Sequence, residues 1–314
     1  MRVETAEEVF RTDDHAHDVL ALVRHFSEKR HDWALSPLLV PAVEHYLDRH
    51  VPLLASSYKH LARQAALREG AYTTPRDGRP VRITPEDIAD LVHDLGRPAV
   101  VMVENDASDG GFIKAVAGIL RDAGVLAAID NEWLVIDHAG GAPDLFRRAK
   151  DKRDRFRRLS RVAAVLDGDR MLPGDPPDHH EDIEKLRAGD VRVHVLRLRE
   201  IENYIPDRVL RLLGPQCRPE IKIAALGRLT KEQRGHYDMK VGFKNGNVAP
   251  AQEELYDDVP RDVIEDLAGG FGRKVITSFL THAEAVTEED LRSDVGPDVP
   301  AELRAMLAMI REIV

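Results

Sequence analysis

Two aspartates stand two residues apart at the end of an apolar run. Residues 162–169 read Val-Ala-Ala-Val-Leu-Asp-Gly-Asp, so Asp167 and Asp169 directly follow a segment typical of a strand buried on both faces. Gly168 allows the chain to turn where this strand ends. In open α/β sheets, ligands bind at the carboxyl ends of the strands. Two carboxylates this close repel each other unless a cation lies between them, and Mg²⁺ is the simplest such cation.

Acidic residues also follow two other predicted strands. Residues 98–103 lead into Glu104, and residues 191–198 lead into Glu200 and Glu202. Strands that alternate with helices through short links predict a parallel sheet, in which all these strand ends meet at one edge. One or two Mg²⁺ or Mn²⁺ ions bound there would leave positions open for phosphate oxygens, as phosphodiester cleavage requires. Acids are also common at strand ends and helix N-termini, so a purely structural role is the alternative explanation for these residues.

The apolar pattern divides the chain into three regions. Residues 1–95 are predicted to be mostly helical, residues 96–210 to alternate between strands and helices, and residues 211–314 to be mostly helical again. We therefore expect an α/β fold. Its mostly parallel sheet has about four strands with helices on both faces, and helical N- and C-terminal regions flank it.

Composition limits the classes of function. The chain has 314 residues, 43% of them apolar, and a net charge of −10, which excludes a uniformly basic DNA-coating protein but not a basic patch. Its only cysteine, Cys217, excludes a disulfide framework or a thiolate zinc site within one chain. No secretory signal and no run of about 18 apolar residues is found. A cytoplasmic protein that does not enter a membrane is expected.

Three stretches resemble the motifs of the Toprim domain, the metal-binding unit of topoisomerases, primases and OLD-family nucleases. They are VVMVENDASDGGFIKAV, AAVLDGDR and LREIENYIP. In this resemblance Glu104 matches the catalytic glutamate, with Asn105 in place of the usual glycine. Asp109 matches the aspartate that follows, and it is also expected to cap the next helix. Asp167 and Asp169 match the family's Asp-x-Asp motif.

The resemblance covers about residues 97–210 and implies a Toprim-like (Rossmann-like) fold with Mg²⁺-dependent cleavage of nucleic acid. It assigns a further metal ligand to Glu202, with Glu200 as the second choice. OLD-like proteins also carry a late lysine, for which Lys274 is the candidate, although a solvated helix lysine explains it too. Some bacterial members act in defence against phage, often beside an ATPase. This chain has no G-x-x-x-x-G-K-[ST], so an ATPase would be a separate polypeptide.

A basic segment precedes the Asp-x-Asp strand. Residues 147–161 hold nine lysines and arginines against two aspartates and could follow a phosphate backbone. A second candidate for phosphate contacts is the polar segment 235–246. The residues predicted to contact nucleic acid, most simply DNA, are Arg153, Arg155, Arg157, Arg158 and Lys240. A solvated helix face and a plain insert explain the two segments equally well.

Two histidine pairs lie among acids. His15 and His17 stand near the N-terminus, and His179 and His180 lie between Asp169 and the next predicted strand. Either pair could bind a metal, but surface-loop and helix-cap residues are the favoured interpretation.

Three functions compete. The leading hypothesis is a metal-dependent nuclease. The alternative enzyme is a phosphatase of the HAD type, in which Asp167 would be the nucleophile, although HAD chains place this motif near their start. The third is a non-catalytic subunit that binds metal or nucleic acid and docks partners through its helical regions. A homodimer is the default expectation, although no heptad repeat supports it.

Overall fold

Seven parallel strands form two sheets in the part of the chain that the computed structural model describes, residues 1–71 and 79–314. The strands are, in chain order, β1 (Arg2–Thr5), β2 (Asp32–Ala34), β3 (Val81–Ile83), β4 (Ala99–Val103), β5 (Leu134–His138), β6 (Val162–Leu166) and β7 (Arg192–Val195). The first sheet has the order β2-β1-β3, and the second has the order β5-β4-β6-β7. The expected α/β class and a four-stranded parallel sheet are therefore confirmed.

Helices connect and cover these strands. The α-helices are α1 (Ala16–Ser27), α2 (Val40–His50), α3 (Ala55–Gly70), α4 (Ile88–Gly96), α5 (Gly111–Ile119), α6 (Ala123–Asp130), α7 (Ala142–Arg153), α8 (His180–Ala188), α9 (Asp207–Leu210), α10 (Pro219–Leu226), α11 (Lys231–His236), α12 (Arg261–Asp266), α13 (Val275–His282), α14 (Glu288–Asp290) and α15 (Val299–Ile313). Short 3₁₀ helices lie at Glu7–Phe10, Pro37–Leu39, Ile201–Tyr204, Pro215–Cys217, Lys244–Gly246, Pro250–Gln252, Glu254–Tyr256 and Ala283–Ala285, and π turns at Asp106–Gly110 and Leu291–Val295. None of the helices described combines the length and apolarity needed to cross a membrane.

The N-terminal region contains a sheet that the sequence pattern did not predict. We expected residues 1–95 to be mostly helical, yet β1, β2 and β3 lie among α1 to α4. These strands are three or four residues long, too short for the alternation that identifies a strand in a sequence. Trp33 of β2 stacks on Phe26 of α1 at a ring-centroid distance of 4.8 Å. The region is thus an α/β unit with a hydrophobic core of its own.

Helices cover both faces of the four-stranded sheet. Val101 and Val103 of β4 pack in one hydrophobic core with residues from α5 and α6. Met102, on the opposite face of the same strand, packs with residues from α7 and α8. From β4 the chain continues to β5 on one side of β4, and from β5 it returns to β6 on the other side of β4. The direction in which strands are added to the sheet therefore reverses between β4 and β6. These two neighbouring strands flank the switch point of the sheet.

The C-terminal region shares its core with the four-stranded sheet. Leu303, Leu307 and Ile310 of α15 belong to the same cluster of buried side chains as Val101 of β4 and Val165 of β6. The regions expected as residues 96–210 and 211–314 are therefore joined by one continuous core.

Asp94 joins the N-terminal unit to the four-stranded sheet. Its buried carboxylate accepts hydrogen bonds of 2.8–3.1 Å from the main-chain N–H groups of Arg157, Arg158 and Leu159, in the loop that leads into β6. Burial acts to raise the pKa of Asp94, but these three donors and His93 outweigh it, so the pKa lies below its ordinary value. The junction therefore stabilises the ionised form of the Asp94 carboxyl group.

We expect Asp94→Ala to lower the free energy of unfolding by about 2–4 kcal/mol, because three N–H donors lose a charged acceptor. Asp90→Ala on the same helix is the matched control. Asp90 is solvent-accessible and lies 3.1 Å from Arg157 and 3.8 Å from Arg158, so its loss should cost less than about 1 kcal/mol. Urea denaturation followed by circular dichroism measures both. Equal losses in the two variants would contradict the role given to Asp94.

Candidate functional site

The candidate site lies at the switch point between β4 and β6. Glu104 directly follows β4, and Asp167 directly follows β6. The register pairs Met102 with Ala164, so both acids leave the sheet at the same carboxyl edge. A crevice at this position is where open α/β sheets bind their ligands.

A tight turn at Gly168 places the two aspartates. A Cβ atom at Gly168 would lie 2.7 Å from the carbonyl oxygens of both Leu196 and Leu198, so only glycine fits. The backbone of Asp169 has a φ of 47°, a left-handed conformation that aspartate tolerates better than most residues. Its N–H donates to the carbonyl of Arg199 at 2.8 Å. The turn is therefore docked directly on the chain that leaves β7.

Asp167 is fixed by the same chain segment. Its Oδ1 atom accepts a hydrogen bond of 3.0 Å from the main-chain N–H of Ile201, at the start of the 3₁₀ helix Ile201–Tyr204. Glu200 and Glu202 flank Ile201, and both are buried. One hydrogen bond thus brings acids from the ends of β6 and β7 together.

Two buried polar residues hold this 3₁₀ helix. The Asn203 amide nitrogen donates to the carbonyls of Arg234 and Tyr237 at 3.0 and 2.8 Å, and its Oδ1 atom accepts from the N–H of Glu200 at 3.0 Å. The Tyr204 hydroxyl donates to Glu302 Oε1 of α15 at 2.7 Å. The C-terminal region therefore positions the acids that follow β7.

The region after Glu104 departs from the expected helix start. The sequence predicts Asp109 as the N-cap, but Asn105 Oδ1 accepts from the N–H groups of Ala107 and Ser108 at 3.0 and 3.3 Å. Asp109 Oδ2 instead accepts from the N–H of Asn105 at 2.9 Å. Asparagine, where the Toprim motif usually has glycine, thus closes a π turn in front of α5.

Asp167 is influenced electrostatically by four other acids. Loss of hydration is the largest cause that raises the pKa of Asp167 well above its ordinary range, and the charges of Asp109, Asp169, Glu202 and Glu200 follow in that order. The carboxyl group of Asp167 therefore senses acids from the ends of β4, β6 and β7.

The neighbouring carboxyl groups respond in the same direction. Loss of hydration followed by the charge of Asp169 raises the pKa of Glu104. Loss of hydration followed by Glu200 raises the pKa of Asp169. Burial raises the pKa of Glu202 although Lys240 opposes it.

We call Glu104, Asp167, Asp169, Glu200 and Glu202 the carboxylate cluster. The structure brings these five predicted residues together.

Cations face one side of the cluster. Lys240 Nζ lies 2.9 Å from Glu200 Oε2 and 3.4 Å from Glu202 Oε1. Arg199 lies 3.6 Å from Glu200 and 3.5 Å from Asp238. Lys240 was predicted to contact nucleic acid, whereas Arg199 and Asp238 were not singled out. Only the position of Arg199 beside Glu200 offered a sequence signal for it.

An open cavity of about 600 Å³ adjoins Glu104. Its walls come from the segments that follow β4 and β5, namely Glu104, Asn105, Asp106, Ala107, His138, Ala139, Gly140 and Gly141. A second cavity of about 390 Å³ lies beside Arg199 and Asp238. Ligands from solvent therefore have access next to the carboxylate cluster.

The oxygen donors suit a hard divalent cation. Glu202 Oε2 is buried and has no hydrogen-bond partner in the described part of the chain, a deficit that a cation would satisfy. Among residues 1–71 and 79–314, however, no three histidine, cysteine, aspartate or glutamate side chains are arranged to hold a metal ion. The donor chemistry fits Mg²⁺ or Mn²⁺, and binding would require the side chains to close around the ion.

The basic segment is divided between the two edges of the sheet. Helix α7 runs back from the carboxyl edge and ends at Arg153, and Arg155, Arg157 and Arg158 lie in the loop that leads into the start of β6. A five-residue strand spans roughly 16 Å. These arginines therefore lie at the edge opposite Asp167, although they are close to it in sequence.

Several of these arginines have partners within the chain. Arg157 lies 3.1 Å from Asp90, and Arg158 lies 3.8 Å from both Asp87 and Asp90. Arg153 donates to the carbonyl of Gly189 at 3.2 Å. These contacts favour a role in docking the N-terminal unit over a role beside the cluster.

Lys274 and His179 are both exposed side chains. Lys274 is exposed at the start of α13 and forms no ion pair with the cluster among the residues described. His179 is exposed at the N-cap position of α8, as the helix-cap interpretation expected, and its ring centroid lies 5.6 Å from that of Phe146. It also acts to lower the pKa of Glu104, against the larger effect of lost hydration. The loop between Asp169 and α8 thus returns toward the site.

Comparison of the chain with protein-family models, with curated proteins and with solved structures finds no match. The resemblance of its three motifs to the Toprim domain therefore stays a prediction.

We expect Gly168→Ala to lower the free energy of unfolding by about 1–3 kcal/mol, because the new Cβ would overlap two carbonyl oxygens that cannot move independently. Gly118→Ala is the control. A Cβ at Gly118 meets nothing within 4 Å, and the residue lies in α5, so alanine should stabilise the protein by up to about 1 kcal/mol. Thermal denaturation distinguishes the two. A Gly168→Ala protein as stable as the wild type would show that the turn is not docked as described.

The raised pKa of Asp167 predicts a pH-dependent cost of its charge. Because the pKa of Asp167 is higher in the folded than in the unfolded state, protonated Asp167 favours the folded protein. This stabilisation is fully present below about pH 4, near the unfolded-state pKa, and is lost as pH rises through the folded-state pKa. In EDTA, Asp167→Asn should therefore melt above the wild type at pH 8, with a gap that narrows toward pH 4.5. The exposed control Asp154→Asn should show no such trend. A lower melting temperature for Asp167→Asn at pH 8 would refute the mutual repulsion.

Proposed function

We propose that this chain is a Mg²⁺- or Mn²⁺-dependent nuclease that hydrolyses phosphodiester bonds, most simply in DNA. The observation that carries the proposal is the carboxylate cluster. Acids from the ends of β4, β6 and β7 meet at the switch point of a parallel sheet, and loss of hydration together with their mutual repulsion raises the pKa of Asp167. Such a site is stable in its ionised form only with added positive charge, which a divalent ion supplies.

Glu104, Asp167 and Asp169 are the residues that would hold the ion, whereas Glu202, the further ligand that the motif resemblance assigns, lies beside Lys240. A bound divalent ion supplies an activated water and neutralises charge on a phosphate. The chain's own contribution is positioning. The N–H of Ile201 orients Asp167, Gly168 sets the angle between the two aspartates, and the cavity beside Glu104 admits the substrate backbone.

The remaining predictions on biological context accompany this proposal. A separate ATPase subunit, a homodimer, a cytoplasmic location and a role in antiviral defence follow from the motif resemblance and the composition alone. No residue of the site adds to them.

Asp167→Ala is expected to reduce Mg²⁺-dependent cleavage of plasmid DNA at least about a hundredfold, because metal-assisted stabilisation is worth several kcal/mol and each 1.36 kcal/mol is tenfold. Glu104→Gln should do the same. Asp154→Asn, an exposed acid at the opposite edge of the sheet, should retain wild-type activity. Circular dichroism establishes that each variant is folded.

Two further assays separate the alternatives. EDTA should abolish cleavage, and Mn²⁺ should restore it. Hydrolysis of a small phosphomonoester without DNA cleavage would favour the HAD-type phosphatase that uses Asp167 as nucleophile. Absence of both activities in a folded protein that binds nucleic acid would favour the non-catalytic subunit. Full activity in Asp167→Ala would reject the nuclease proposal.

A further inference from the structure

The backbone of Lys240 is fixed by close contact between two main-chain segments. Its N–H donates to Asp238 Oδ1 at 3.0 Å, and its carbonyl accepts from the N–H of Gly272 at 3.0 Å. A Cβ at Gly270 would lie 2.6 Å from the Lys240 carbonyl, and one at Gly242 would lie 2.3 Å from Gly270 N. Both glycines have positive φ angles of 53° and 68°. Lys240 is thus held in place, unlike a solvated surface lysine.

The ammonium group of Lys240 contacts two buried glutamates. The side chains of Glu200 and Glu202 are 10% and 5% exposed, and Nζ lies 2.9 and 3.4 Å from their nearest oxygens. A buried carboxylate without a positive partner is strongly destabilising. Lys240 therefore does for this pair of acids what a bound cation would do.

The other three acids of the cluster lack such a partner. Among the residues described, no lysine, arginine or histidine forms an ion pair with Glu104, Asp167 or Asp169. Direct ion pairs among the described residues thus serve one side of the cluster, whereas Lys240 and Arg199 act on Asp169 only at longer range. A second divalent ion at Glu200 and Glu202 would lie close to the ammonium group, and the repulsion between the two positive charges disfavours its binding while Lys240 is in place.

We propose that Lys240 is a built-in cation that takes the place of a second metal ion, so that the carboxylate cluster binds a single divalent ion at Glu104, Asp167 and Asp169. This inference rests on the metal binding that the proposed nuclease function requires. It changes the expected role of Lys240 from a contact with nucleic acid to a fixed internal charge.

The stoichiometry of Mn²⁺ binding tests the inference. Titration of the full chain, with free Mn²⁺ measured by electron paramagnetic resonance, should give one bound ion per chain. Lys240→Ala frees Glu200 and Glu202 and should give two, a doubling that Glu200→Gln in the same background should reverse. Lys240→Arg keeps the charge and should give one. Lys244→Ala, an exposed lysine four residues on, is the matched control and should also give one.

Several results would overturn the inference. Binding of two Mn²⁺ ions, or of none, by the wild type would contradict it, and so would binding of one ion by a folded Lys240→Ala protein. If Lys240→Ala does not fold, Lys240→Gln replaces it in the titration. The number of Mn²⁺ ions that the wild type binds tests the inference with either variant. Because cleavage is not the readout, the two proposals can fail separately, and only a wild type that binds no ion rejects both. A chain that binds one ion, gains another in Lys240→Ala and cuts no DNA upholds Lys240 and rejects the nuclease.

Discussion

Repulsion among five carboxylates at one edge of a parallel sheet is the constraint around which this molecule is organised. The protein does not avoid the repulsion. It fixes Asp167 with a main-chain N–H, buries Glu200 and Glu202, and places one ammonium group against the latter two. Structural stability alone would favour fewer charges here. Functional sites are where proteins commonly retain such cost.

The supports of this site come from distant parts of the chain. Glu302 of α15 accepts from both the Tyr204 hydroxyl and the main-chain N–H of Arg197, each at 2.7 Å. Asn203 links the same segment to the carbonyls of Arg234 in α11 and of Tyr237 just after it. A short, irregular stretch after β7 thereby acquires the rigidity that a metal or substrate site requires.

The central sheet and the cluster were predictable because their signals are local. The apolar runs before Glu104 and Asp167 are long enough to indicate buried strands, and a parallel sheet dictates that their ends converge. The N-terminal sheet was not predictable, since its strands are too short to show a period. The contact of Lys240 with Glu200 was also beyond reach, because it depends on glycine-mediated packing between residues far apart in the sequence. The arginines before β6 misled for the opposite reason: adjacency in sequence placed them at the wrong end of a strand.

The shared core has a consequence for how this chain can be divided. Side chains of α15 complete one face of the sheet that carries Glu104 and Asp167, and Arg161, just before β6, is buried with its guanidinium bonded to the carbonyls of Leu95 and Ile313. Excising residues 96–210 as a minimal fragment would expose apolar surface and remove the Leu95 and Ile313 carbonyls from that guanidinium, leaving it the carbonyl of Arg97. The catalytic machinery proposed here is therefore a property of the assembled polypeptide, and shortened versions would aggregate before they could be assayed.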